Sequence, residues 1–338
     1  MTGAAHNGTA GAAQPDPGPA AGPAPTAGPA PAPGPDAGPV QAAGSGPADG
    51  ATDAVPWRRL LRETTTRLRA AGVDNAAQEA RWLLERATGF TPAELAVNLD
   101  RHATERAATH LDVMARRRVA GEPLQYALGR WAFRSLDLFV DRRVLIPRPE
   151  TEVLAEMTLD ECRRLDARVA VDLGTGSGAL ALSMAAERPG LEVWGTDVST
   201  DALAVARANL AGLGRAATRV RLAEGAWFDA LPEDLAGRID VIVANPPYVA
   251  DDEIMDLPAE VRDWEPHVAL FSGPSGMEDV EHIVARAPAW LAHPGALLVE
   301  MAPHQTRTAQ QLARAAGFAS TTVWPDLTGR DRILLARL

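Results

Sequence analysis

The rhythm of apolar and polar positions changes several times along this chain. Residues 1–55 have no rhythm: Ala, Gly and Pro dominate, and 11 of the 27 prolines lie there. Such a segment buries too little surface to offset its ordering entropy, so it is expected to be a disordered, partly polyproline-II tail. Over 56–121 the period becomes helical. Leu60, Leu61, Thr64 and Leu68 share one face, as do Ala76, Ala80, Leu83, Leu84 and Ala87, closed by Gly89. Thr91-Pro92-Ala93-Glu94 has the form of a capping box with Pro at the first helical position. Leu111 and Met114 mark a last helix that stops before Gly121 and Pro123. The period then falls to two. Trp131 and Phe133, then Leu136, Leu138 and Val140, alternate with polar residues, which predicts a β-hairpin linker within 122–150.

From 151 to 338 apolar strand runs alternate with helical stretches. The runs are Arg168–Leu173, Leu191–Thr196, Thr218–Ala223, Ile239–Ala244 and Ala296–Met301. This α/β pattern predicts a parallel, doubly wound sheet. Two late runs, Ala319–Trp324 and Arg332–Leu335, are joined by a short connection, which predicts an antiparallel pair.

Composition narrows the function classes. The only cysteine is Cys162, which excludes an intrachain disulfide and a cysteine metal cluster and fits a reducing cytoplasm. A secretory signal pattern is not found, and no apolar run approaches the ~18–20 residues that span a bilayer. All 33 basic residues are arginine. The net charge of −11 is uneven: residues 56–120 carry 12 Arg against 8 acids, whereas 121–338 carry 21 Arg against 32 acids. An acidic catalytic region is the wrong sign for a duplex nucleic-acid enzyme, so a nucleic-acid partner is not expected. No metal site and a monomeric chain are expected.

Two loops carry candidate chemistry. The run ending at Asp172-Leu173 enters Gly174-Thr175-Gly176-Ser177-Gly178, after which a helix begins at Ala179. Glycines let a backbone turn sharply and approach a ligand closely. Asp197 ends the next strand, where a carboxylate can accept both ribose hydroxyls. By itself this loop fits any nucleotide-binding domain of Rossmann type, a nicotinamide enzyme included. Asp172 favours a cationic sulfonium over a pyrophosphate.

The second loop, Asn245-Pro246-Pro247-Tyr248, follows the Ile239–Ala244 strand. Two prolines remove two donors and fix the backbone, leaving the Pro246 carbonyl beside the Asn245 side-chain carbonyl. A planar amide or amine nitrogen is a weak nucleophile. Two acceptors can orient its N–H bonds and favour the charge that develops on methylation. Tyr248 offers a stacking face. Read alone, the loop is equally a Pro-Pro turn with an Asn cap.

The stretch from Trp57 to Leu338 resembles the HemK/PrmC family of protein-(glutamine-N5) methyltransferases, which modify peptide-chain release factors. The resemblance rests on Phe133–Glu152, Val171–Gly178, Asn245–Tyr248 and Glu260–Gly276, and the segment Ile146-Pro147-Arg148-Pro149-Glu150-Thr151-Glu152 is its most specific part. It implies a class I S-adenosylmethionine-dependent methyltransferase with a seven-stranded Rossmann-like sheet and a helical substrate-docking domain. It implies that Gly174 to Gly178 and Asp172 hold S-adenosyl-L-methionine, that Asp197 holds its ribose and Trp227 its adenine, and that Asn245 clamps a glutamine amide and also borders the cofactor. Arg148 and Glu150 are expected either at the substrate cleft or in a hinge ion-pair network. Gly225-Ala226 stand where family members carry an acid. The same Asn-Pro-Pro-Tyr loop serves adenine N6 and guanine N2 methyltransferases, the competing reading.

Overall fold

Four helices open the described part of the chain: α1 (Trp57–Ala70), α2 (Ala76–Thr88), α3 (Pro92–Asn98) and α4 (Glu105–Val119). The computed structural model describes residues 55–338, so the expectation of a disordered tail lies outside the described residues up to position 54. Leu68, Ala80, Leu83, Leu84, Leu111 and Met114 form the bundle's core, the faces that the helical period marked. The capping box is present: the Glu94 amide donates to Thr91 Oγ1 at 3.3 Å, and the Thr91 amide donates to Glu94 Oε2 at 2.9 Å.

The linker is more structured than a plain hairpin. A short helix α5 (Leu124–Leu128) precedes β1 (Trp131–Phe133) and β2 (Leu136–Leu138), which pair antiparallel. Tyr126 is fully buried and its hydroxyl donates to the Val144 carbonyl at 2.5 Å. Phe133, Leu138, Val140, Val144 and Ile146 join the core of the following domain, so the linker is packed into it rather than strung between two bodies.

Helix α6 (Pro149–Leu165) leads into the sheet. The remaining elements are β3 (Val169–Leu173), α7 (Ala179–Glu187), β4 (Glu192–Asp197), α8 (Thr200–Ala211), β5 (Val220–Glu224), β6 (Ile239–Ala244), α9 (Ala259–Trp264), α10 (Glu278–Trp290), β7 (Leu291–Glu300), α11 (Thr306–Ala315), β8 (Ser320–Pro325) and β9 (Asp331–Arg337). The strand order is β5-β4-β3-β6-β7-β9-β8. The first five strands run parallel, and β9 is antiparallel to both β7 and β8. Side chains alternate between two cores. Val241 and Val243 of β6 face α6, α7 and α8, while Ile242 and Ala244 face α10 and α11. Among the described residues no helix is long and apolar enough to cross a membrane.

Arg118 fastens the bundle to the sheet domain. Its Nε donates to Glu79 Oε2 of α2 at 2.6 Å, its Nη1 lies 2.7 Å from Glu260 Oε1 of α9, and Arg118 and Glu79 are both buried. Breaking a buried pair costs about 3–5 kcal/mol, because the surviving charge keeps no partner. Arg118→Ala is therefore expected to lower the urea midpoint by an amount equivalent to about 3 kcal/mol. Arg58→Ala, which removes an exposed pair with Asp100, should cost under about 1 kcal/mol. Tryptophan fluorescence would follow both transitions, and equal midpoints would contradict this account of Arg118.

Candidate active site

All the candidate chemistry stands at the carboxyl ends of parallel strands. The β3 end turns at Gly174, whose φ of +74° suits glycine. A Cβ at Gly174 would lie 3.1 Å from the Trp227 ring, so this glycine also makes room for the indole. The turn is tied to β4 by the Gly174 and Thr175 amides, which donate to the Thr196 carbonyl at 2.9 and 2.8 Å.

Asp172 lies beneath the turn and is buried. Its Oδ2 accepts from Thr175 Oγ1 at 2.6 Å and from the Ala181 amide at 3.1 Å, while its Oδ1 is buried with no partner. Burial pushes the carboxyl up to about 7, against the pull of these two donors. Asp197 is knitted into the same floor: Oδ2 accepts from the Gly176 amide at 2.8 Å and Oδ1 from the Ser199 amide at 2.9 Å. Burial raises its pKa, and those amide bonds oppose the rise.

Asn245 ends β6. Its Nδ2 donates to Thr151 Oγ1 at 3.2 Å, and its Oδ1 is buried without a partner. Trp227 stands across from it with a φ of +51°, and its Nε1 donates to Asp279 Oδ1 at 3.2 Å.

These groups converge on one cavity of about 260 Å³. Its wall includes Asp172, Gly174, Thr175, Gly176, Ser177 and Asp197, together with Trp227, Asn245 and Pro247. Five expected residues are not part of that wall. Gly178 caps α7 with a φ of +86° and lies behind the loop. Pro246 is buried. Tyr248 does not present the expected stacking face to the cavity, and the Arg332 guanidinium lies 6.0 Å from its ring centre. Arg148 and Glu150 form ion pairs instead of lining the cleft. Arg148 Nη2 lies 2.5 Å from Glu265 Oε1, and Glu150 Oε1 lies 3.5 Å from Arg330 Nη2. Of the two alternatives drawn from the sequence, the hinge network is the one with contacts.

Other groups at or beside the cavity were not singled out from the sequence. Asp279, at the start of α10, brings a carboxylate to the cavity wall, where the sequence shows only Gly225-Ala226 in place of an acid. Thr151 and Glu300 flank Asn245 from α6 and β7. Glu300 is buried, its pKa is pushed up to about 7 by that burial, and the neighbouring Thr151 hydroxyl pulls against the rise. Gln305 Nε2 donates to the carbonyls of Tyr248 at 2.9 Å and Gly276 at 3.0 Å, clamping the Asn-Pro-Pro-Tyr loop to the loop before α10.

A parallel sheet closed by one antiparallel pair, with a glycine turn after β3 and two unpartnered acceptors facing a shared cavity, defines a class I methyltransferase. Two sequence families match within the chain: the PrmC N-terminal domain over residues 59–129 and the methyltransferase small domain over 149–260. The chain is 43% identical over 278 residues to the release factor glutamine methyltransferase of Cereibacter sphaeroides, covering 82% of this chain and 97% of that protein. It is 40% identical over 280 residues to the enzyme of that name from Moorella thermoacetica, again covering 82% and 97%. Among solved structures, the hMettl16 catalytic domain in complex with a MAT2A 3'UTR hairpin aligns with a TM-score of 0.49 at 18% identity, over 68% of this chain and 80% of that one. The chain belongs to the release factor glutamine methyltransferase family.

Gly276 tests the clamp. Its φ is +71°, and a Cβ there would lie 2.6 Å from the Tyr248 carbonyl and 3.0 Å from the Ala250 amide. Gly276→Ala is expected to cost about 1–3 kcal/mol of strain, stored beside Asn245. Methyl transfer should fall at least tenfold while the cofactor dissociation constant changes little. Wild-type turnover would show that the loop tolerates the shift.

Proposed function

We propose that this chain transfers a methyl group from S-adenosyl-L-methionine to the side-chain amide nitrogen, N5, of a glutamine in the GGQ loop of peptide-chain release factors. The observation that carries this reading is the Asn245 carbonyl oxygen, buried and unpartnered at the cavity wall while its own NH₂ is held by Thr151. Such an acceptor matches one N–H of a planar amide. The family's curated members, named for release factor glutamine, supply the substrate.

The residues present fit the cofactor. Asp172 Oδ1, buried and unpartnered, suits a cationic group. The Gly174–Ser177 backbone would carry the methionine part, Asp197 the ribose hydroxyls, and the Trp227 ring the adenine, with Asp279 or the Ala226 backbone beside it. When bound, the cofactor supplies an electrophilic methyl on a cationic sulfonium. Asn245 Oδ1 accepts one amide N–H bond and aims the nitrogen lone pair; the second N–H is assigned to the Pro246 carbonyl on the loop pattern alone, since Pro246 is not part of the cavity wall. Such acceptors stabilise positive charge there more than they stabilise the neutral ground state. The alkylated nitrogen is strongly acidic and loses its proton without a general base. The helical bundle would dock the protein substrate, and the reading is of a monomeric, cytoplasmic enzyme.

Asn245→Ala is expected to lower single-turnover transfer to a purified release factor by about 10²–10³, by analogy with the loss of one preorganised oxyanion-hole group. Cofactor affinity should change little. Mass spectrometry would locate the methyl. Wild-type transfer to duplex or single-stranded nucleic acid, with none to protein, would sink the substrate assignment.

The Asp172 carboxyl predicts a pH dependence. A cationic ligand favours the ionised form, and a raised pKa leaves that form scarce below about 7. Cofactor affinity should therefore rise about tenfold from pH 6 to pH 8, as the ionised fraction grows from roughly a tenth to nine-tenths. Calorimetry across this range on wild type and Asp172→Asn would test it, since the variant should show a flatter profile. A flat wild-type profile would remove Asp172 from the cofactor site.

A further inference from the structure

Asn245 has two ends that are nearly the same shape. Only one of them, the carbonyl, can accept a substrate N–H, and a rotation of the side-chain amide by 180° would present the NH₂ instead. A donor aimed at the glutamine nitrogen would repel its N–H bonds. The orientation of this amide is therefore a catalytic variable, and the groups behind Asn245 must set it.

Two residues stand there. Thr151, in the first turn of α6, takes the Asn245 Nδ2–H at 3.2 Å on its hydroxyl oxygen. The Thr151 hydroxyl also neighbours the Glu300 side chain, at the end of β7, and favours its carboxylate form. Thr151 and Glu300 are both buried, only 4% and 2% exposed, so bulk water does not compete for these contacts. A hydroxyl has one proton to give. An ionised carboxylate accepts only, so Glu300 takes that proton in its ionised form, which gains population above about pH 7. The Thr151 oxygen then has only lone pairs to turn toward Asn245, and only the NH₂ end of the amide satisfies them. The carbonyl is left facing the cavity, where it is found buried and unpartnered.

We propose that Thr151 and Glu300 form a positioning relay, Asn245 Nδ2–H to Thr151 Oγ1–H to the Glu300 carboxylate, which fixes the Asn245 amide with its carbonyl toward the substrate nitrogen. Thr151 reaches the cavity wall and Glu300 does not. Each acts through Asn245, and the relay rests on the amide-methylation reading given above. The charged groups around Glu300 come from separate elements: Arg332 on β9 and Arg148 before α6 favour the carboxylate, and Glu150 in the first turn of α6 opposes it.

The relay makes a set of linked expectations for the full-length protein. Thr151→Val keeps the shape and removes the hydroxyl, so single-turnover transfer to a release factor should fall about 10- to 100-fold, the scale of a misplaced reacting group. Cofactor affinity should stay within about threefold of wild type, since Thr151→Val keeps the shape of the cavity wall. Thr151→Ser restores a hydroxyl and should recover most of the rate. Glu300→Gln can donate to Thr151 and release its proton toward Asn245, so it should also slow transfer. Thr151→Val placed on Asn245→Ala should add little, because the relay acts only through that amide. Additive losses, or a Ser variant no better than Val, would reduce Thr151 to ordinary packing.

A second readout does not depend on turnover. In asparagine-selective ¹⁵N spectra, the Asn245 side-chain NH₂ pair, identified by its loss in Asn245→Ala, should be protected from exchange in wild type. It should become exposed in Thr151→Val. Unchanged protection would overturn the relay even if the enzyme methylates glutamine. Absent transfer to any release factor, with protection lost as expected, would instead fault the substrate reading and leave the relay standing.

Discussion

The register of β3 between its two parallel neighbours is the constraint on which the cavity depends. Leu173 pairs with Thr196 of β4 on one side and with Ala244 of β6 on the other. That pairing brings Asp172, Asp197 and Asn245 to the same edge of the sheet, although 73 residues separate the first from the last. A slip of one residue in any of these strands would exchange its two faces. Val241 and Val243 would then meet α10 and α11 in place of α6 and α7. The core thus enforces the geometry of the cavity, because a register that misplaced these three residues would also misplace the apolar side chains.

The strands were legible because buried parallel strands are short, nearly continuous apolar runs. Ile239–Ala244 has the bounds read from sequence, and β4, β5, β8 and β9 shift by one or two residues at most of their ends. Strand β7 was undercounted: it begins at Leu291, where His293, Pro294 and Gly295 interrupt the apolar pattern. The linker was read too simply. Leu124, Tyr126 and Ala127 are buried in a short helix, a length at which apolar periodicity carries little information.

The site divides in the same way. Groups that belong to a local motif, such as the Gly174–Ser177 turn, Asp197 and Asn245, could be read from the chain because their neighbours in sequence are their neighbours in space. Groups that act through a distant partner could not. Thr151 stood in the resembling segment, but its contact with Asn245, 94 positions away, did not show there, and Asp279 meets Trp227 across 52. Arg148 and Glu150 drew attention as charged residues in a specific segment, but their partners Glu265 and Arg330 lie more than a hundred positions away. Tyr248 looked like a stacking face because nothing in the sequence places Arg332 beside it.

The first turn of α6 joins four parts of the protein within five residues. Arg148 reaches the Glu265 loop, Glu150 reaches Arg330 near β9, Thr151 reaches Asn245, and the Glu152 carboxylate accepts the Arg134 amide of the hairpin turn at 2.8 Å. An α-helix advances about 100° per residue. Inserting or deleting a single residue between Arg148 and Thr151 would rotate every later contact by that angle, and no side-chain adjustment could recover all of them. Chain length is therefore fixed at this point more firmly than residue identity. A change of one residue in the exposed Asp251–Asp256 turn would disturb far less.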